Sequence, residues 1–388
     1  MSANELDVLV VGGGIHGVGV AQAAAAAGHR VALVEARELA AGTSSRSSKL
    51  IHGGLRYLES LELSLVRESL RERALLLRLA PDLVRLVPFL IPVRADTSRR
   101  PLTLRAGLGL YALLAAPGPG AAFGTIPRER WDDLDGLSTE GLQQVFRYHD
   151  AATDDAALTR AVMRSAQELG AELLSPAELV AAQREDHGYR ATVQVGDEQR
   201  QLTTTTLVNA AGPWVEEVRG RVDPSPSGFA VDLVAGTHIE LPGTVERGYY
   251  YTEAPDDRRA VFVMPWKGRT LVGTTERVHT TAPGECAPSE PEVEYLRRTL
   301  RHHFPGRDAT VLEAWSGLRV LPRADGAAFG RSRETVFRTD GPGVERYLAI
   351  YGGKLTGYRA TAEKVLRRLA GALPERRPLA RTDELRLG

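Results

Sequence analysis

Two short stretches near the N-terminus bring together side chains and glycines with the makings of a reaction centre. Gly12, Gly14 and Gly17 form a G-x-G-x-x-G set in VVGGGIHG. Gly12 permits a tight turn, Gly14 lets backbone N–H groups approach a pyrophosphate, and Gly17 lets a helix pack closely on a sheet. Glu35 follows at about twenty residues, where an acid can accept hydrogen bonds from ribose hydroxyls. The second stretch, KLIHGGLRYLE at residues 49–59, holds His52, Arg56 and Tyr57 around Gly53 and Gly54. A titratable ring, an anion-pairing guanidinium and a phenol beside close-approach glycines are a fitting lining for a reaction site.

The first set works only if a strand precedes it and a helix follows. Residues 7–11 (DVLVV) are an apolar run of buried-strand type, an alanine-rich helical segment reaches Ala27, and residues 30–34 (RVALV) are a second strand run ending at Glu35. Strand, glycine turn, helix, strand and acid in this order point to nucleotide binding, a context that a ligand-free glycine turn lacks. The helix N-terminus then faces the anion with free N–H groups and a favourable dipole. Residues 41–48 (AGTSSRSS) leave the second strand at the end where a doubly wound sheet holds its ligand. Thr43, Ser44, Ser48, Lys49 and Leu50 are therefore read as cofactor contacts; the plainer alternative is that the hydroxyls cap a helix.

A chain of 388 residues exceeds one typical core, so two domains or one elaborated domain are expected. With 43% apolar and 25% charged residues it has the composition of a soluble globular protein. A formal net charge of zero gives no electrostatic reason for a nucleic-acid partner. The one cysteine, Cys286, rules out an internal disulfide framework and a cysteine metal cluster, as suits a reducing compartment. The first residues lack a signal-peptide pattern, and no apolar run reaches the about 20 residues of a membrane span, so a cytoplasmic location is expected. Of 49 basic residues only Lys49, Lys267, Lys354 and Lys364 are lysine. Lys49 and Lys354 lie in glycine- and serine-rich loops and are candidates for roles needing a compact ammonium, with solvated surface lysines as the alternative.

Farther along, residues 61–80 read as a solvated helix, and Pro81, Pro88 and Pro92 break it. Residues 99–117 set arginines beside an apolar stretch, either an interfacial amphipathic segment or a helix buried on the second domain. A helix is expected over 154–169, then strands over 172–174, 178–183, 189–195 and 202–208. Alternating runs at 249–252, 260–264 and 270–273 predict an antiparallel sheet. Residues 290–303 read as a charged helix whose His302 and His303 are taken as solvated rather than metal-binding, since adjacent helical side chains diverge. The strand run 347–351, the turn at Gly352 and Gly353 and a helix over 354–369 close the pattern.

The block TSSRSSKLIHGGLRYLE, with the opening GGGIHG, resembles the FAD-dependent glycerol-3-phosphate dehydrogenases, within the D-amino-acid-oxidase-like flavoproteins. The likeness continues through NAAGPW (209–214), FVMPW (262–266), LVGTT (271–275), SGLR (316–319) and YGGKLTGYR (351–359), so it spans nearly the whole chain. It implies an α/β fold with a discontinuous Rossmann-like FAD-binding domain (1–80, 145–220 and 316–388) and an inserted α+β substrate domain on an antiparallel sheet (81–144 and 221–315). It also implies non-covalent FAD, touched by Ala210 and Gly212, by the Leu179 backbone at the adenine, and by Gly353, Lys354, Leu355 and Thr356 at the flavin. The implied reaction is oxidation of sn-glycerol 3-phosphate to dihydroxyacetone phosphate by hydride transfer from C2, with quinone as acceptor.

In that reading Arg56, Arg319 and Arg333 match substrate positions and pair with the phosphate. His52 takes the hydroxyl proton, while Tyr57 and Lys354 orient substrate or stabilise developing charge. Respiratory members of the family are peripheral membrane enzymes, which favours the interfacial reading of residues 99–117 and a place on the inner face of the cytoplasmic membrane. Longer members continue into a C-terminal helical domain, so this chain is expected to be a short form; Ala235 stands where many relatives carry lysine. A homodimer remains open, as do two other activities: an amine or amino-acid oxidase on the same fold, and a flavin protein without turnover.

Overall fold

Val8, Leu9, Val10 and Leu33 are completely buried, as parallel strands covered on both faces must be. In the computed structural model, which describes residues 5–58, 61–115, 120–323 and 335–388, these residues lie at the centre of a nine-stranded sheet. Arg333 falls outside the described residues, and Arg56 is described by its backbone alone. The strand Glu5–Val11 pairs in parallel with Val31–Val34 on one side and with Glu198–Asn209 on the other. Glu198–Asn209 divides its far edge: residues 198–204 take the antiparallel strand Gly188–Val195, and residues 207–209 take the parallel strand Tyr347–Tyr351. The expected strand–turn–helix unit is thus present, and the C-terminal strand returns to the same sheet.

The helix Ile15–Ala26 follows the glycine turn, and every residue in it except His16 is buried. Its alanines and glycines let it sit in one core with Asp155–Glu168 and Tyr358–Leu369. Gly17 is obligatory here, because a Cβ would lie 1.8 Å from the Gly12 carbonyl oxygen.

A ten-stranded sheet forms the second layer. Toward one end of it Val231–Leu241 is flanked by Arg269–Gly273 and, along its length, by Glu313–Pro322. Pairing is antiparallel throughout except where Tyr249–Glu253 meets Val84–Arg94. The expectation of an antiparallel second sheet therefore holds, but its extent differs from the sequence reading. Boundaries at 145 and 316 fall inside Leu142–Thr153 and Glu313–Pro322, both strands of this sheet, and Leu50–Ile51 also belongs to it. Pro88 and Pro92, expected only as breaks, sit within the strand Val84–Arg94, which pairs with Leu142–Thr153 along its whole length. Long-range pairing overrides the local signal.

Two further expectations change. Residues 101–114 form the helix Pro101–Leu114, with Leu104, Leu108 and Tyr111 buried while Leu102 and Leu113 are 81% and 77% exposed. The segment is thus a helix packed through one face into the core of the second layer, as the buried-helix reading expects. His303 is not solvated: it is buried at the end of Glu290–His303, donating from Nε2 to the Glu253 carbonyl at 2.8 Å. Burial lowers its pKa to about 4.

Candidate active site

The C-terminal ends of Glu5–Val11 and Val31–Val34 open into a cavity of about 790 Å³, within the usual range for small-molecule sites. At its nucleotide end Gly12 takes a φ of +111°, accessible to glycine, and its N–H bonds the Val34 carbonyl at 2.8 Å. The next N–H, from Gly13, donates to Glu35 Oε2 at 2.6 Å, and Arg37 N–H donates to Glu35 Oε1 at 2.8 Å. The Glu35 carboxylate is thereby fixed at the cavity wall, with lone pairs left on both oxygens. Gly14 caps the helix without a side-chain bond, and a Cβ there would meet only Ser44 Oγ, at 3.2 Å. The space beside the helix N-terminus is therefore open to an anion. Leu179, Ala210 and Gly212 line the same end, and Arg37 stacks on Trp214 at 5.0 Å.

The hydroxyl-rich loop bridges the two sheets. Thr43 Oγ1 donates to the Leu318 carbonyl at 2.7 Å, and Ile15 N–H donates to Ser44 Oγ at 2.9 Å. Gly317, the glycine of SGLR, is needed for this contact, since a Cβ would lie 2.5 Å from the Arg46 carbonyl oxygen. Ser48 and Leu50 line the cavity, but Lys49 does not. Its buried ammonium bonds Asp155 Oδ1 at 2.8 Å and the Ser45 carbonyl, and it lies between the rings of Trp266 and Trp315 at 5.1 and 4.9 Å. Lys49 holds the loop from behind rather than presenting its charge to a ligand.

At the other end of the cavity stand His52, Tyr57, Lys354 and Arg319. The Lys354 ammonium sits over the Tyr57 ring, 3.5 Å from its centroid. Arg319 donates from Nη2 to Thr274 Oγ1 at 3.2 Å and to the Thr275 carbonyl at 3.4 Å, and its Nη1 is 3.7 Å from Glu276. Thr356 Oγ1 accepts the His52 N–H at 3.1 Å and donates to the His52 carbonyl at 3.4 Å. Gly353 and Leu355 line the cavity beside it.

Two wall residues escaped the sequence reading. His238, buried in Val231–Leu241, stacks on Trp315 at 4.2 Å and shares a 3.0 Å hydrogen bond with Ser48 Oγ. Burial first, then the nearby Arg319 and Lys49 charges, hold its pKa well below the ordinary value, so it is neutral. Thr274 was also missed as the partner of Arg319. A histidine with an aromatic plate from another strand was legible only as alternation in THIEL.

The FAD dependent oxidoreductase (DAO) family matches residues 7–361 of this chain. The chain belongs to that family. Among its relatives are D-erythritol 1-phosphate dehydrogenase of Brucella abortus, 37% identical over 95% of this chain and 74% of the relative, and glycerol-3-phosphate dehydrogenase of Pseudomonas aeruginosa, 37% identical over 95% and 72%. A solved glycerol-3-phosphate dehydrogenase of Bacillus halodurans, complexed with FAD, superposes with a TM-score of 0.77 at 26% identity, covering all of this chain and 68% of that one. FAD is the cofactor of this DAO-family chain. The open helix N-terminus at Gly14, the fixed Glu35 carboxylate and the small-residue wall at Ala210 and Gly212 fit its pyrophosphate and adenosine.

Proposed function

We propose that the chain oxidises sn-glycerol 3-phosphate to dihydroxyacetone phosphate. The observation that carries this reading is Arg319, braced by Thr274, Thr275 and Glu276, in the same cavity as His52, Tyr57, Lys354 and the nucleotide end. The curated relatives named glycerol-3-phosphate dehydrogenase support it. FAD supplies the acceptor for the hydride that leaves C2. The guanidinium of Arg319, joined by Arg56 and Arg333, pairs with the phosphate dianion and fixes which end of the substrate enters. His52 accepts the C2 hydroxyl proton, a role that an imidazole ring nitrogen can fill as general base. Lys354, steadied on the Tyr57 ring, places a positive charge where the carbonyl oxygen forms.

A longer polyol phosphate is a second reading, favoured by the match to a D-erythritol 1-phosphate dehydrogenase. The test is product identification after turnover with each polyol phosphate and an artificial acceptor. Stoichiometric dihydroxyacetone phosphate from glycerol 3-phosphate, at a higher kcat/KM than for erythritol 1-phosphate, is the expected result. The reverse preference moves the assignment to the four-carbon substrate.

For the electron acceptor we infer quinone, reached at a membrane surface. Among the described residues no helix is long and apolar enough to cross a membrane. The outer face of Pro101–Leu114, with exposed Leu102, Arg105 and Leu113, supports peripheral docking on anionic lipid. Co-sedimentation with anionic vesicles at low salt, released as salt screens the arginines, is expected. Indifference to vesicles at every salt concentration would leave oxygen or a soluble carrier as acceptor.

A further inference from the structure

We propose that Tyr111 is a positioning residue for His52, linking the surface helix Pro101–Leu114 to the loop that takes the substrate proton. The proposal rests on His52 being the proton acceptor. Tyr111 lies on the buried face of that helix, in a core with Tyr57, Leu58, Leu70 and Tyr148. Its hydroxyl donates to Asp150 Oδ2 at 2.7 Å and accepts the Gly53 N–H at 2.9 Å. Asp150 is itself held on Oδ1 by Arg73 Nη1 at 2.5 Å, with the Gly53 N–H as a longer contact at 3.3 Å.

Gly53 directly follows His52, so this bond fixes the peptide plane on the C-terminal side of the histidine. Thr356 holds the His52 N–H at 3.1 Å and its carbonyl at 3.4 Å. Both planes flanking the His52 Cα are therefore pinned, the N-terminal one by Thr356 and the C-terminal one by Tyr111 with the longer Thr356 contact, which sets the direction in which the ring leaves the chain. The fit at Gly53 is close: a Cβ would lie 2.4 Å from the Tyr111 hydroxyl oxygen and 2.5 Å from Leu70 Cδ2. Phenylalanine cannot replace the tyrosine in this role, because the hydroxyl donates and accepts at once. Its loss would leave the buried Gly53 N–H with the 3.3 Å contact alone.

The test compares FAD-loaded full-length wild type, Tyr111→Phe and Asp150→Asn with Leu108→Ala, a core truncation on the same buried helix face. For Tyr111→Phe the expected outcome is unchanged FAD content, a KM for glycerol 3-phosphate within about twofold, and an anaerobic flavin-reduction rate about tenfold lower, as misplacement of a catalytic group produces. The His52 ring resonances in a nitrogen-15 histidine spectrum, assigned by their loss in His52→Asn, should move in Tyr111→Phe and Asp150→Asn and stay in place in Leu108→Ala. Should Tyr111→Phe fail to fold, Asp150→Asn carries the same expectation. Unmoved His52 resonances in the variants that fold would overturn the proposal, as would an equal kcat loss and resonance shift in Leu108→Ala. The spectrum needs no substrate, so failure of wild type to oxidise any polyol phosphate would remove the proposed function while the resonances still decide the role of Tyr111.

Discussion

If Arg319 clamps the substrate phosphate as proposed, its removal should separate substrate binding from cofactor binding. It is braced by Thr274, Thr275 and Glu276 and lies on a strand of the second sheet, far in the chain from the glycine turn. Losing one member of a desolvated charge pair costs about 2–5 kcal/mol, so Arg319→Ala should lower kcat/KM for glycerol 3-phosphate by a factor of tens to thousands. FAD content should stay near wild type; an Arg319→Ala protein with full activity would remove the phosphate clamp from the account. The glycines make a contrasting pair. A leucine at Gly14 would meet only the Ser44 hydroxyl, 3.2 Å from its Cβ, beside the helix N-terminus, so Gly14→Leu should fold and be colourless. An alanine at Gly17 would press on the Gly12 carbonyl, so Gly17→Ala should also melt at a lower temperature than wild-type apoprotein. Flavin absorbance per chain and the apoprotein melting temperature distinguish the two, and a yellow Gly14→Leu protein would contradict the pyrophosphate assignment.

Among the helices, Glu290–His303 gives a titration that can be followed. An unfolded histidine takes its proton near pH 6.5 and buried His303 only near pH 4, so the folded state loses stability as pH falls through that interval. The span corresponds to roughly 3 kcal/mol of acid destabilisation from this residue. His303→Gln, which can still donate to the Glu253 carbonyl, should flatten the pH dependence of unfolding between those values. His16, lowered the same way to about 4, maintains part of the slope. Equally steep curves for wild type and variant would remove His303 as a contributor. The same helix shows where sequence reasoning reached its limit. Its span was legible from charge and period, but the burial of His303 depends on a carbonyl fifty residues earlier in the chain. Val84–Arg94 was obscured by prolines that only a partner strand accommodates, and Lys49 by aromatic rings contributed by two distant strands. Glu5–Val11, the glycine turn and Ile15–Ala26 were legible because turn chemistry and periodicity agree within twenty-two residues.

Taken whole, the molecule sets a nucleotide crevice from one sheet against a charged pocket from the other, with the loop at residues 43–58 passing between them. On the proposed reading, that juxtaposition makes a specific demand on the substrate: an anion for Arg319 and an oxidisable carbinol for His52 at once. The most direct measurement is anaerobic bleaching of the bound flavin, followed by stopped-flow absorbance, with glycerol 3-phosphate, erythritol 1-phosphate, glycerol, lactate and a set of amino acids. Glycerol 3-phosphate should bleach the flavin rapidly, while glycerol, lactate and the amino acids leave it yellow. Bleaching by an amino acid as fast as by glycerol 3-phosphate would contradict the account and make the chain an amino-acid oxidase.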